Sequence, residues 1–342
     1  MLDDSRMLIA KAAGSLAGVA IGDAMGMPVE FLSRSEIRAR FGRVNEFLEP
    51  PQDHMHRHVQ KGSITDDTQQ TLALASALIE HGRITPEIAA QAYLRWADET
   101  DAFRSSFLGP SSKDALLRLR AGEDPRHAGG AGSTVGAAMR VAPIGIVNAG
   151  DPQAAASEAY LSCLPTHGAS VAIAGACAVA AAVASAMVNA SLDELARAAL
   201  SGAEFGQLHG IASPGPTLAA RLVTALQLVT RNENDKEAAE AELIKTVGVG
   251  IQSVELVPTA IALVVLYEGD PRRAIPAAVN MGGDTDTLAA MVGAITGAIR
   301  GIEGFPAEWV LTVQRQNALD FCRIAHDLIE IHERRRKKSR AS

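Results

Sequence analysis

Aromatic residues are scarce in this chain: Phe, Trp and Tyr together make up 4% of its 342 residues. β-Sandwiches fill their pleated faces with aromatic and β-branched side chains, so this scarcity argues against an all-β fold. Cysteine is scarcer still, with Cys163, Cys177 and Cys322 widely spaced and no CxxC. An odd, scattered set supplies neither a disulfide framework nor a zinc site, and it fits a reducing cytoplasm. A surplus of positive charge is missing as well. At a net charge of −7 the chain has no electrostatic footprint for nucleic acid. The basic run Arg334-Arg335-Arg336-Lys337-Lys338 reads as part of a solvated, frayed tail over residues 334–342. Met1-Leu2-Asp3-Asp4 lacks the positive region of a signal peptide. The charge-free stretch Val171 to Ala190 is mostly Ala with Ser, Gly and Cys, so its drive into a bilayer is weak. The expectation is a buried core helix and no membrane partner.

What the chain does have is small apolar residues. Apolar types reach 47%, ample for a sizeable core, and abundant Ala and Gly favour closely packed helices. Apolar periodicity predicts helices over Leu8 to Gly22 and Thr68 to His81, the second stopped by Gly82. Thr85-Pro86-Glu87 combines a cap, Pro at the first helical position and an acidic first turn, and opens a helix through Asp98. Further helices are expected over Lys113 to Ala121, after Asp151-Pro152, over the Ala-rich stretch, and over Ser191 to Gly202. Thr217 to Thr230, Glu237 to Val247, Pro258 to Glu268, Asp270 toward Asn280, Leu288 to Arg300 and Trp309 to Arg336 complete the series. With no clear period-2 strand, repeat or long linker, the reading is one all-α domain over residues 1–333.

Two acidic turns stand near opposite ends. Ile64-Thr65-Asp66-Asp67-Thr68 and Gly282-Gly283-Asp284-Thr285-Asp286-Thr287 each precede an apolar, Ala-rich stretch, which places them at helix mouths. Thr and Asp cap helices and complement the dipole, which accounts for one Asp in each turn. Adjacent carboxylates repel and need a counter-ion. Paired glycines let a ligand approach the backbone, and Asp-x-Asp in extended backbone points both carboxylates one way. Carboxylates and hydroxyls are the hard oxygen ligands that Mg²⁺, Mn²⁺ or Ca²⁺ prefer. If folding joins the turns, they form a metal site, here read as holding two ions.

A third element, Gly14 to Glu30, has glycines spaced along an apolar run. No strand precedes it, so a dinucleotide loop is a poor reading, and a small-faced helix ending in a loop with Asp23 and Glu30 is a better one. Asp23 is open to two roles, supporting the site from behind the ligands or capping. His54, His56 and His58 alternate in a polar segment expected to be a mobile surface loop flanking the site, with a metal-binding patch as the alternative. Phe103, Arg104, Phe107 and Pro110 fall between helices, where pocket lining and packing both remain open.

The ordered set GDAMGMPVE, TDDT, Gly136-Ala137-Ala138-Met139-Arg140-Val141-Ala142-Pro143-Ile144-Gly145, Thr166-His167 and GGDTDT resembles the ADP-ribosylglycohydrolase family, from about Gly14 to Arg300. The resemblance implies a compact orthogonal all-α fold with a binuclear Mg²⁺ or Mn²⁺ centre. By motif position it implies metal ligands at Thr65, Asp66, Asp67, Asp284, Asp286 and Thr287. It places a flexible acidic residue at Glu30, and assigns catalysis to Glu30, Asp67 and Asp284. The loop Gly129 to Gly136, with Gly129, Gly130, Gly132 and Ser133, falls where relatives cradle phosphates or ribose, and His167 falls where they carry a histidine near the substrate. Two positions depart: Ile64 stands where many relatives have an aromatic, and Val135 where many have Asn. A lost amide at Val135 changes substrate discrimination.

The implied chemistry is hydrolysis of an N- or O-glycosidic bond at the anomeric carbon of a ribosyl group, through an oxocarbenium-like transition state. The substrate is then an ADP-ribosylated protein or a small N-riboside. A non-catalytic, crystallin-like binding protein is the third reading, and the complete set of ligand positions argues against it.

Overall fold

The computed structural model describes the backbone of residues 2–341 and the side chains of residues 5–338. Met1, and residues 339–342 of the expected tail as far as side chains go, lie outside the described residues. The fold is all-α. Its helices are α1 (Leu2–Gly26), α2 (Arg34–Phe41), α3 (Asp66–His81), α4 (Pro86–Glu99), α5 (Pro110–Arg120), α6 (Ala142–Val147), α7 (Pro152–Cys163) and α8 (Ser170–Ala186). They continue as α9 (Leu192–Gln207), α10 (Leu218–Arg231), α11 (Lys236–Thr246), α12 (Ser253–Leu266), α13 (Pro271–Val279), α14 (Thr285–Arg300), α15 (Ala307–Asn317) and α16 (Phe321–Ala341). Among the described residues there is no strand, only isolated bridges such as Ser33 to Gly282.

The molecule is organised around α1 and α14, which run antiparallel with their backbones in contact. Glycines at i, i+4 spacing make this possible. A Cβ added at Gly18 would lie 2.0 Å from Gly293 O, and one at Gly22 would lie 2.1 Å from Ala289 O. Gly14 meets Gly297 and Gly301 in the same way, and Gly26 meets Asp286. The glycine spacing of residues 14–26 is thus a helix-packing face, which brings the C-terminal end of α1 beside the N-terminal end of α14. Over Ser5–Val29 this region has the length and apolarity of a membrane span, yet it is mostly buried inside the molecule. The Ala-rich α8 is likewise buried along its length, covered by α6, α7, α9 and α12.

Several expectations need correcting. α12 begins at Ser253, so Pro258 lies inside the helix instead of opening it. The stretch from Trp309 breaks at Ala318, whose φ of 53° reverses the chain between α15 and α16. Helices α2 and α6 were not expected. Residues 334–341, read as a frayed tail, prolong α16. Arg335 is docked there, with Nη1 and Nη2 2.8 Å from the two Glu158 oxygens and Nη2 2.9 Å from Gly82 O.

Candidate metal centre

Three segments meet at the α1–α14 contact. The first is the end of α1 with its following turn, which carries Asp23 and Glu30. The second is the start of α3, and the third is the start of α14. Gly282 and Gly283 have φ of 82° and 74°, left-handed values that side chains avoid. They let the chain pair with residues 31–33, with Phe31 N 2.7 Å from Gly283 O and Gly283 N 2.9 Å from Leu32 O. Glu30 and Asp284 are held together by this pairing. Asp284 and Asp286 lie at the cap and first turn of α14, so their convergence comes from a helix mouth and not from the expected extended backbone.

At α3 the cap position belongs to Thr65, but its hydroxyl makes no cap bond. Asp23 does that work from α1. Its carboxylate accepts from Thr68 N at 3.1 Å, Thr65 N at 2.9 Å and Thr65 Oγ1 at 2.7 Å. The carboxylates then form two groups in which one oxygen from each residue lies within 4.8 Å of the others: Asp23 with Asp67 and Asp286, and Glu30 with Asp284 and Asp286. Asp286 is common to both. Asp66 stands on the pocket beside them, its Oδ2 accepting from Gln70 Nε2 at 2.9 Å.

The electrostatics of this cluster are one-sided. Burial pushes the carboxyls of Asp23, Glu30, Asp66, Asp67, Asp284 and Asp286 above the ordinary range, Asp23 to about 7. Repulsion from Asp286 adds to the effect at the other five. The N-terminal ends of α3 and α14 point their dipoles at the cluster, but partial charges do not balance six carboxylates. Asp67 Oδ1 is buried with no hydrogen-bond partner. All donors are oxygens, so the set fits a hard divalent cation and not zinc or copper.

The cluster forms one end of a pocket of about 200 Å³. Phe107, Leu108, Val135, Met139 and Ile251 supply its apolar wall, and no Lys, Arg or His side chain lines it among the described residues. Phe107 and Pro110 are therefore pocket residues, whereas Phe103 packs under the Arg120 guanidinium and Arg104 pairs with Asp101 on the surface.

The structure joins Asp66, Asp67, Asp284, Asp286 and Thr287 at the pocket with Glu30, while Thr65 sits behind them on Asp23. The loop contributes Thr134, Val135 and Gly136 to the wall. Gly129, Gly130, Gly132 and Ser133 lie outside that lining; Ser133 donates to Gln252 Oε1 at 2.8 Å. His167 is fully buried behind the wall, where a Cβ on Gly136 would meet its ring at 3.1 Å. His54 and His56 are not on a mobile surface loop. Both are buried, His54 Nε2 lies 2.9 Å from Glu30 O, and His56 Nε2 lies 2.6 Å from Glu30 Oε2. Burial lowers the His56 pKa to about 4, so its ring is neutral against Glu30. His58 is the exposed member of the three.

A profile of the ADP-ribosylglycohydrolase family matches residues 4–338. The chain belongs to the ADP-ribosylglycohydrolase family. It is a hydrolase of glycosidic bonds, as family members are. It is 39% identical to the uncharacterized protein YegU of Escherichia coli over 94% of this chain and 97% of that one. ADP-ribosylarginine hydrolase Tri1 of Serratia proteamaculans is 26% identical, over 90% of this chain and 76% of that one. Among solved structures, an ADP-ribosylglycohydrolase-related protein complex superposes with a TM-score of 0.71 at 26% identity, covering 96% of this chain and 99% of that one.

Proposed function

We propose that this family member hydrolyses the bond at the anomeric carbon of a ribosyl group, with two divalent cations, Mg²⁺ or Mn²⁺, at the acidic cluster. The observation that carries this reading is five carboxyls from three segments on one pocket, with Asp23 behind them, no Lys, Arg or His side chain on the wall among the described residues, and one oxygen left unpartnered. Asp23, Asp67 and Asp286 would hold one ion, Glu30, Asp284 and Asp286 the other, with Asp66, Thr65 and Thr287 completing the set. When bound, such ions orient ribose hydroxyls and lower the pKa of a bound water.

The chain's own residues supply the rest. Asp66, Asp67 and Asp284 place negative charge where an oxocarbenium-like carbon develops positive charge. Glu30 faces the pocket and moves a proton at the anomeric centre. His54 and His56 hold its backbone and carboxylate in place. Phe107, Leu108, Met139 and Ile251 give the leaving group an apolar, water-poor wall.

Two substrate classes compete. The similarity to the ADP-ribosylarginine hydrolase Tri1 favours an ADP-ribosylated protein as partner. Val135 on the wall, together with the lack of a basic side chain there, favours a small N-riboside, because a diphosphate would find only backbone and hydroxyl donors in the pocket. A purified protein incubated with Mg²⁺ and ADP-ribosylated protein, ADP-ribosyl-arginine and a nucleoside panel decides between them. Turnover that survives chelation or the Asp284→Ala substitution refutes the metal-dependent reading.

A further inference from the structure

Behind the pocket wall lies a buried guanidinium. Arg140 is fully buried, stacked 3.8 Å over the Tyr93 ring, and makes no ion pair among the described residues. Its Nη1 donates to Gln70 Oε1 and its Nη2 to Thr166 Oγ1. From Gln70 the chain of bonds reaches Asp66. On the other side Thr166 Oγ1 lies 2.9 Å from His167 Nδ1, and His167 Nε2 lies 3.0 Å from Thr134 Oγ1. Both branches therefore end at the pocket, one at Asp66 and the other at Thr134.

The direction of each bond follows from donor chemistry. A guanidinium only donates. Thr166 is fully buried, so its hydroxyl proton needs an acceptor, and His167 Nδ1 is the acceptor in reach. Burial and the nearby Arg140 charge hold the imidazole neutral. A neutral ring that accepts at Nδ1 carries its proton on Nε2 and donates it to Thr134 Oγ1. Thr134 is then left with a proton to give and no hydrogen-bond acceptor for it among the described residues, on the wall of the pocket it borders.

We infer that Thr134 contacts the substrate as an obligate hydrogen-bond donor, its direction set by Arg140 through Thr166 and His167, and that it takes an acceptor oxygen of the substrate. Thr134 is the residue of this relay that touches the ligand; Arg140, Thr166 and His167 are positioning residues. The acceptor is a carbonyl of the leaving group or a phosphate oxygen, the two that the competing substrate classes present. The inference rests on the riboside-hydrolase reading for its substrate, but the relay itself does not.

The test has two parts. In ¹⁵N-histidine-labelled protein, with His167 assigned from the His167→Gln spectrum, the expected result is an unprotonated Nδ1 and a protonated Nε2. The opposite tautomer overturns the relay, whatever the protein hydrolyses. In kinetics, Thr134→Val lowers kcat/KM about tenfold through KM, Thr134→Ser stays close to wild type, and calorimetric Mn²⁺ affinity is unchanged in both. Wild-type kcat/KM in Thr134→Val, or an equal loss in Thr134→Ser, overturns the contact. The loss falls on inosine and uridine if the acceptor is a base carbonyl and on ADP-ribosyl-arginine if it is a phosphate. A wild-type protein that turns over none of these removes the riboside reading and the substrate contact together, leaving the tautomer to judge the relay alone.

Discussion

Asp23 on α1 caps α3 from a distance of 45 positions in sequence, accepting from Thr68 N at 3.1 Å and from the Thr68 hydroxyl. A residue of one helix thus terminates another, and the same carboxylate faces Asp67 and Asp286. Asp23→Ala removes both roles. The expected outcome is a loss of about 1–2 kcal/mol in urea unfolding for the missing cap, together with weaker Mn²⁺ binding by calorimetry. Unchanged Mn²⁺ binding would assign Asp23 to capping alone.

The glycine face of α1 makes a second prediction. Gly18→Ala places a methyl 2.0 Å from Gly293 O, so α1 and α14 must separate. Overpacking of this kind costs about 1–3 kcal/mol. Because Asp23, Glu30, Asp284 and Asp286 sit at the end of the same contact, divalent-cation affinity should fall along with the unfolding midpoint. Arg6→Ala, at an exposed position of the same helix, leaves the glycine face untouched and serves as the control.

The metal-free protein should lose stability as pH rises. Asp23 has an ordinary value of 3.8 and a folded value of about 7. Between these the unfolded chain has released a proton that the folded chain still binds, so stability decreases with pH across that window. The other five carboxyls shift in the same direction. Thermal scans in chelator should show a midpoint falling from mildly acidic to neutral pH, and saturating Mn²⁺ should remove or reverse the slope. A flat profile in chelator would mean that the cluster is not repulsive.

His56 holds the Glu30 carboxylate at 2.6 Å and is itself held by Ser106 Oγ at 3.0 Å. His56→Ala should lower kcat/KM by about 10- to 100-fold, the usual consequence of freeing a group that orients an active carboxylate. His58→Ala, at an exposed position, should leave turnover unchanged.

Much of this was legible beforehand, and the reasons are physical. Helix after helix announced itself through 3.6-residue periodicity and caps, and the acidic turns through the incompatibility of clustered carboxylates without a cation. Helix α2 went unread although Ser33-Arg34-Ser35-Glu36 is a capping box, with the Ser33 hydroxyl accepting from Glu36 N and Glu36 accepting from Ser33 N. That signal was local and available. The roles of His54 and His56 were not, because each depends on a partner from another segment that periodicity does not reveal, whereas Asp23, open to support and to capping, caps α3 and faces Asp67 and Asp286. Thr134 is harder still: nothing in Ser133-Thr134-Val135 distinguishes one hydroxyl from its neighbour until a buried arginine fixes which way the protons run.

The backbone contact between residues 14–26 and 286–301 joins α1 to a segment synthesised long after it. A ribosome still translating the middle of the message has already released α1 and α3, yet the emerging polypeptide has no Asp284 or Asp286 to pair with them. The acidic cluster is therefore incomplete until α14 has been made, and a product arrested before α14 would carry Asp23, Glu30, Asp66 and Asp67 without their partners.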